Sequence, residues 1–155
     1  MTAASVCILL SVIIMKNQEL LSTLLITAQA GQIEIRRILN TVMESGMRGT
    51  LRSQLREYDA METEALIIAL QRGWELQSLS PAAGFLKDKI TRLRTHACGS
   101  DSKIAEIMIR SNTNAMIRNH RQINRSSGQD SPVLILAQKM LDCETAHNRR
   151  LQQYL

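Results

Sequence analysis

Apolar residues recur at steps of three and four along four stretches of this chain, separated by clusters of Gly, Pro, Ser and Asp. That period gathers them on one face of an α-helix. The first stretch is predicted as a helix from about residue 17 to Ser45, with Gly46 as its stop. Its stripe is Leu21, Leu24, Ala28, Gly31, Ile35, Ile38 and Val42. Ala28 and Gly31 are small, so a neighbouring helix is expected to come close at mid-length. The second helix is predicted from about Arg48 to Arg72, stopped by Gly73. Its stripe is Leu51, Leu55, Tyr58, Glu62, Ala65 and Ala69, flanked by Met61 and Ile68, and Glu62 stands where an apolar residue is expected. A short Ser45–Gly49 connection predicts that the two helices are antiparallel.

The section from Trp74 to Gly99 reads as a crossover. Pro81 is expected to open a short helix there, with Phe85, Ile90 and Leu93 inward and Lys87, Lys89, Arg92 and Arg94 outward. A third helix follows over about 102–125, capped by Gly99-Ser100-Asp101-Ser102. It is apolar at Ile104, Ile107 and Met108 and then polar, which leaves two expectations open: partial burial, or an internal hydrogen-bonded layer holding Ser111 and Asn114. The last helix covers Val133 to Leu155, with Ser131 as N-cap and Pro132 at its first position. Its stripe is Leu134, Ala137, Leu141, Glu144, Asn148, Leu151 and Leu155.

Residues 1–14 are apolar and uncharged. No basic segment precedes the run, as a secretory signal would usually require, and it is short for a membrane span. The reading is therefore an N-terminal extension, either a start-site artefact ahead of Met15 or a frayed helical lead-in. Residues 15–155 are then one four-helix domain.

Composition narrows the class. Aromatic residues are only 3% of the 155, so the core is built from Leu, Ile, Ala and Met. Alternating strand patterns and Asn-Gly or Asp-Gly hairpin turns are missing. The net charge of +5 is mild, and the cluster Arg118, His120, Arg121 and Arg125 lacks interleaved aromatics, so nucleic acid is not an expected partner. A membrane is not expected either. The three cysteines, Cys7, Cys98 and Cys143, form no Cys-x-x-Cys pair, which favours a reducing, cytoplasmic setting.

One motif has chemical character: Glu144-x-x-His147, a carboxylate and an imidazole one turn apart. Carboxylate-bridged dimetal bundles use that unit twice and add two further carboxylates. Glu34 and Glu62 are available on the first two helices, but Ala65 stands where the second histidine belongs, and the third helix has only Thr113 and Asn114 at mid-length. An intact dimetal site fails on at least two ligands, so no metal, cofactor or catalytic residue is assigned. The expected role of Glu144 is in a polar core layer with donors such as Tyr58, Ser111 or Asn114, with His147 at the rim. Cys143 precedes Glu144 on a different helix face, and no nucleophile signature surrounds it.

With the helices placed, the chain resembles the ferritin-like four-helix proteins of unknown function found in clostridial and related Firmicutes genomes. The residues that carry this are Ala28-x-x-Gly31, Gln54-Leu55-Arg56-Glu57-Tyr58, Ile104-Ala105-Glu106-Ile107-Met108-Ile109, and the segment from Glu144 to Tyr154-Leu155. Thr145-Ala146-His147-Asn148-Arg149 is similar to a second uncharacterised ferritin-like family of bacteria, and the front half is faintly similar to spore coat proteins of that fold. The resemblance implies an all-α, antiparallel four-helix ferritin-like bundle with a short crossover helix, in an intracellular bacterial setting. The function expected is a non-catalytic structural or interaction module that self-associates through helix faces. The alternative is a divalent-metal-binding or redox protein with an incomplete carboxylate/His site.

Overall fold

The computed structural model describes residues 3–79, 100–126 and 130–155. The expected crossover helix, with Pro81, Phe85, Ile90, Leu93 and its four basic residues, lies outside them, as does Cys98. The described residues form four helices and no strand: α1 (Ala3–Ile38), α2 (Ser45–Arg72), α3 (Asp101–Arg125) and α4 (Ser131–Gln152). They pack around one shared core of aliphatic side chains, Met47, Met61, Met108 and Met140, with a single aromatic ring, Tyr58, fully inside it. Every member of the α1 stripe from Leu21 to Ile38 is buried, as the three-and-four spacing requires.

Helix boundaries depart from the expectation where side chains compete for the backbone. α1 ends at Ile38 rather than Ser45, and Gly46 lies in the first turn of α2 instead of stopping α1. The Thr41 hydroxyl donates to the Ile38 carbonyl at 2.7 Å, and Arg48 donates to the Val42 carbonyl at 2.7 Å. These bonds take up carbonyls that a continuing helix would have used. Val42 is still buried, now from the connecting segment. α2 begins without a side-chain cap of its own. The carboxylate of Asp101, at the start of α3, instead accepts from the Met43 and Glu44 amides at 3.0 and 2.6 Å, tying two helix starts together. At its far end α2 stops at Gly73 as expected, in the left-handed region at φ +65°, with the Trp74 amide bonded back to the Ala69 carbonyl.

α3 is capped by Ser100, whose hydroxyl accepts from the Lys103 amide. α4 is shifted by one at its start: Asp130, not Ser131, is the N-cap residue. Its carboxylate forms an ion pair with Arg72 and its amide bonds to Asn17. The end of α2 and the start of α4 therefore meet the interior of α1 there, with Ser126 reaching the Lys16 carbonyl beside them. The buried face of α4 is Val133, Leu136, Ala137, Met140, Leu141, Glu144, His147 and Leu151. Leu134 and Leu155, expected inward, are exposed.

α1 is helical from Ala3 and runs without a break through the apolar extension, where Val6, Ile8, Leu9, Leu10, Val12, Ile14 and Met15 are exposed. By length and composition alone α1 is apolar enough to cross a membrane, and 33% of its most apolar window is buried inside the protein.

The close approach expected at Gly31 is made by a side chain. The Tyr58 ring lies against the α1 backbone so tightly that a Cβ at Gly31 would sit 2.3 Å from Tyr58 Cε2. Replacing a mid-helix Gly by Ala normally gains about 1 kcal/mol. At Gly31 the overlap reverses the sign, because a ring held on all sides has nowhere to move. Gly31→Ala is expected to destabilise by about 1–3 kcal/mol in urea unfolding. Gly49→Ala, where nothing lies within 4 Å, is expected to stabilise by up to about 1 kcal/mol.

Candidate functional site

Two polar groups share the lower-middle stretch of α4, one inside the core and one at its edge. The inner group centres on Tyr58 of α2. Its hydroxyl donates to Glu144 Oε1 at 2.7 Å and accepts from Gln54 Nε2 at 3.1 Å. Gln54 Nε2 also donates to Asn112 Oδ1 at 3.2 Å, and Asn112 Nδ2 donates to Asn148 Oδ1 at 3.0 Å. Nearby, Ser111 Oγ donates to Glu34 on α1 at 2.7 Å. Tyr58, Gln54, Asn112 and Glu144 are all buried. Burial, then the Glu144 carboxylate, pushes the Tyr58 phenol well above its ordinary range, so it remains a hydrogen-bond donor.

The second group lies beside it, where α2 faces α4. Cys143 and His147 are four residues apart on α4 and project on one face. Both donate to a single carboxylate oxygen, Oε2 of Glu57 on α2: the thiol at 2.6 Å and His147 Nε2–H at 2.5 Å. Cys143 Sγ and His147 Nε2 are 3.6 Å apart. Arg150 approaches the other Glu57 oxygen at 3.6 Å. The imidazole is fully buried, stands edge-on to the Tyr58 ring at 5.9 Å, and its Nδ1 has no hydrogen-bond partner among the described residues.

Burial and charge shift the three groups in different directions. Burial pushes the His147 imidazole below its ordinary value, outweighing the pull of Glu57. Burial pushes Glu57 up, but the Cys143 hydrogen bond, His147 and Arg150 together bring its carboxyl below the usual value. A charged His147 would lower Glu57 further, yet the ring is wholly enclosed and Glu57 is half-exposed, so the neutral ring donating to a carboxylate is the state the burial supports. The Cys143 thiol is pushed strongly up by burial and then by Glu57. A thiol so held is not a thiolate nucleophile, even with an imidazole beside it.

The residues singled out in the sequence are distributed differently from a dimetal site. Glu144 and His147 share a helix face but not a partner: Glu144 meets Tyr58, whereas His147 meets Glu57. His147 is buried and not at the rim. Glu34 meets Ser111, and Glu62 accepts from Gln29 and Gln32 on the flank between α1 and α2. Asn114 is exposed, and Asn112 takes the buried place expected of it, because the inward face of α3 runs through Ala105, Met108, Asn112, Ala115 and Asn119. Among the described residues the set of three metal-ligating groups that comes within reach of one ion is Glu57, Cys143 and His147. Reading by residue missed this set. The Cys-x-x-x-His spacing was visible in the sequence, but nothing in α2 marked Glu57 as its partner.

Tyr58→Phe removes the donor to Glu144 and the acceptor for Gln54 while keeping the ring against Gly31. A loss of about 1–3 kcal/mol in urea unfolding is expected, since two buried polar groups each lose a hydrogen bond inside the core. The pH dependence follows from His147. Its folded value is depressed, so the unfolded chain binds its proton first. Stability of chelator-treated protein should be full above the ordinary histidine value and fall as pH drops through and below it, with a further loss in the carboxylate range as Glu57 is protonated. His147→Gln should remove the first phase in pH-dependent thermal unfolding, leaving the second.

In comparisons with known proteins, no protein-family model, curated protein or solved structure matched the chain.

Proposed function

We propose that this chain is a non-catalytic structural or interaction module, an antiparallel bundle of ferritin-like type, that self-associates through one apolar end. The order of contacts supports the antiparallel course. Arg36 pairs with Asp59, Gln29 with Glu62, and Gln18 with the Glu75 carbonyl, so positions descend α1 as they ascend α2 and the segment after it. The crossover that a ferritin-like course would use falls on residues 80–99.

The observation that carries the reading is the concentration of exposed apolar side chains at the end where Lys16, Asn17, Arg72 and Asp130 meet. From there α1 continues as an arm, Ala3–Met15, of roughly 20 Å at helical rise. Its exposed side chains point to all sides, with Ile8 at 67% exposure. A helix apolar all round is stable only when it is surrounded. Next to its root, Leu66, Ile67 and Leu70 of α2 and Leu134 and Ile135 of α4 are also exposed, Leu70 at 83%. Exposed apolar side chains gathered toward one end in this way mark an association surface.

A second copy of the chain is the occupant proposed. Only the part of α1 ahead of Asn17 stands clear of the bundle, because Leu20, Leu21, Leu24 and Leu25 are buried against the other helices. The apolar residues beside its root also alternate with charged groups, among them the Arg72–Asp130 pair, which lipid would have to desolvate and a protein surface can hydrate or pair. A reducing cytoplasm fits the free thiols Cys7 and Cys143.

Light scattering of the full chain is expected to give a dimer or larger species. The double substitution Ile8→Lys and Leu9→Lys, and separately Leu70→Lys, should shift it toward monomer without loss of helical circular dichroism. A monomer at every concentration overturns the proposal. So does co-sedimentation of a monomeric wild type with neutral phosphatidylcholine vesicles, which assigns the arm to a bilayer.

A further inference from the structure

We propose that Glu57, Cys143 and His147 form a binding site for one borderline-soft divalent metal ion, of the class of Zn2+ or Co2+. The site is separate from the surface invoked for self-association and does not depend on it. Three different ligand types converge here from two helices. Cys143 and His147 are set one helical turn apart on α4, and Glu57 faces them from α2.

One of the three separations already suits two ligands of a single ion. A tetrahedral ion with metal–sulfur and metal–nitrogen bonds of about 2.3 and 2.0–2.1 Å holds its sulfur and nitrogen ligands about 3.5 Å apart. Cys143 Sγ and His147 Nε2 stand 3.6 Å apart. The pair on α4 is therefore already at ligand separation. Glu57 Oε2 is closer to both, at 2.6 and 2.5 Å, as hydrogen bonding to two donors dictates. To become a ligand it must draw back by roughly 1 Å. Its side chain is 36% exposed, so it can move toward solvent while the buried imidazole stays in place.

Charge supports the same reading. A dication, one thiolate, one carboxylate and a neutral imidazole sum to zero, which suits a half-buried place. On binding, the Cys143 proton is released to solvent, the imidazole proton moves from Nε2 to Nδ1, bonds to the ion replace the two hydrogen bonds to Glu57, and the hydrated ion gives up the waters that the three ligands displace. Thiolate and imidazole select against Mg2+ and Ca2+, which prefer oxygen ligands. Three protein ligands leave a fourth position for water. Metal-bound histidines ordinarily give their second N–H to an acceptor, and omission of such a partner weakens binding by about 10–100-fold. Nδ1 of His147 has none among the described residues, so the affinity expected is well below that of a closed structural zinc site.

Cobalt titration of the full-length, reduced, chelator-treated protein tests the site. Co2+ is expected to give a thiolate-to-cobalt charge-transfer band and tetrahedral d–d bands at one ion per chain, both displaced by Zn2+. The double substitution Cys7→Ser and Cys98→Ser leaves Cys143 as the only thiol and should retain the band. Cys143→Ser should abolish it. Glu57→Gln, at a half-exposed position, and His147→Gln should each weaken binding at least tenfold. Absence of the band from wild type, its loss in the Cys7/Cys98 double variant, or its survival in Cys143→Ser overturns the proposal. Should Cys143→Ser fail to fold, the double variant decides alone.

Discussion

The hydrogen bond from the Tyr58 hydroxyl to Glu144 links the middle of α2 to the middle of α4 across the core, and much of the structure is arranged around it. A buried carboxylate is costly without a donor, and a buried phenol is costly without a partner, so each fixes the other. The ring can occupy this place only because Gly31 on α1 has no side chain there. Gln54 and Asn112 continue the layer to α3, and Asn148 closes it back on α4. Apolar packing alone tolerates sliding and rotation of helices. A polar layer with directional bonds selects one register, which is the best attested use of buried polar groups in helical cores.

That layer also explains the neighbouring cluster. Glu144 and His147 lie on the same face of α4, and with Glu144 drawn inward to Tyr58, His147 is carried into the wall beside the ring. Its imidazole cannot reach water, so its Nε2–H donates to the Glu57 carboxylate on α2. Cys143, one turn earlier, meets the same oxygen. The packing that satisfies the core thus assembles a thiol, an imidazole and a carboxylate at its edge.

The two ends of the molecule differ in kind. Where α1 leads to α2, hydrogen bonds from Thr41 and Arg48 and to Asp101 tie the helix ends together. At the opposite end the helices meet through Asn17, Arg72 and Asp130, while aliphatic residues of α2 and α4 and the whole N-terminal arm of α1 face outward. The proposed association surface and the proposed metal site therefore belong to different parts of the fold.

The four helices among the described residues, the core face of α1, the Gly73 stop and the burial of Glu144 were legible in the sequence, because each depends on local spacing: a 3.6-residue period, a left-handed glycine, a carboxylate in register with aliphatic neighbours. The end of α1 was not, since it depends on Thr41 and Arg48 reaching particular carbonyls instead of on a breaker. Rotation of α3 and α4 was not either. Neighbouring positions such as Asn112 and Asn114, or Val133 and Leu134, fit an amphipathic pattern almost equally, and only packing against the other helices chooses between them. Glu57 shows the limit most clearly. A helical carboxylate on a half-polar face has no signature of its own, and it becomes a partner of Cys143 and His147 only when α2 is laid against α4. Sequence by itself set the periodicity and the chemical inventory; tertiary structure alone decided which members of that inventory touch, because contact across helices depends on register and rotation that no single helix encodes.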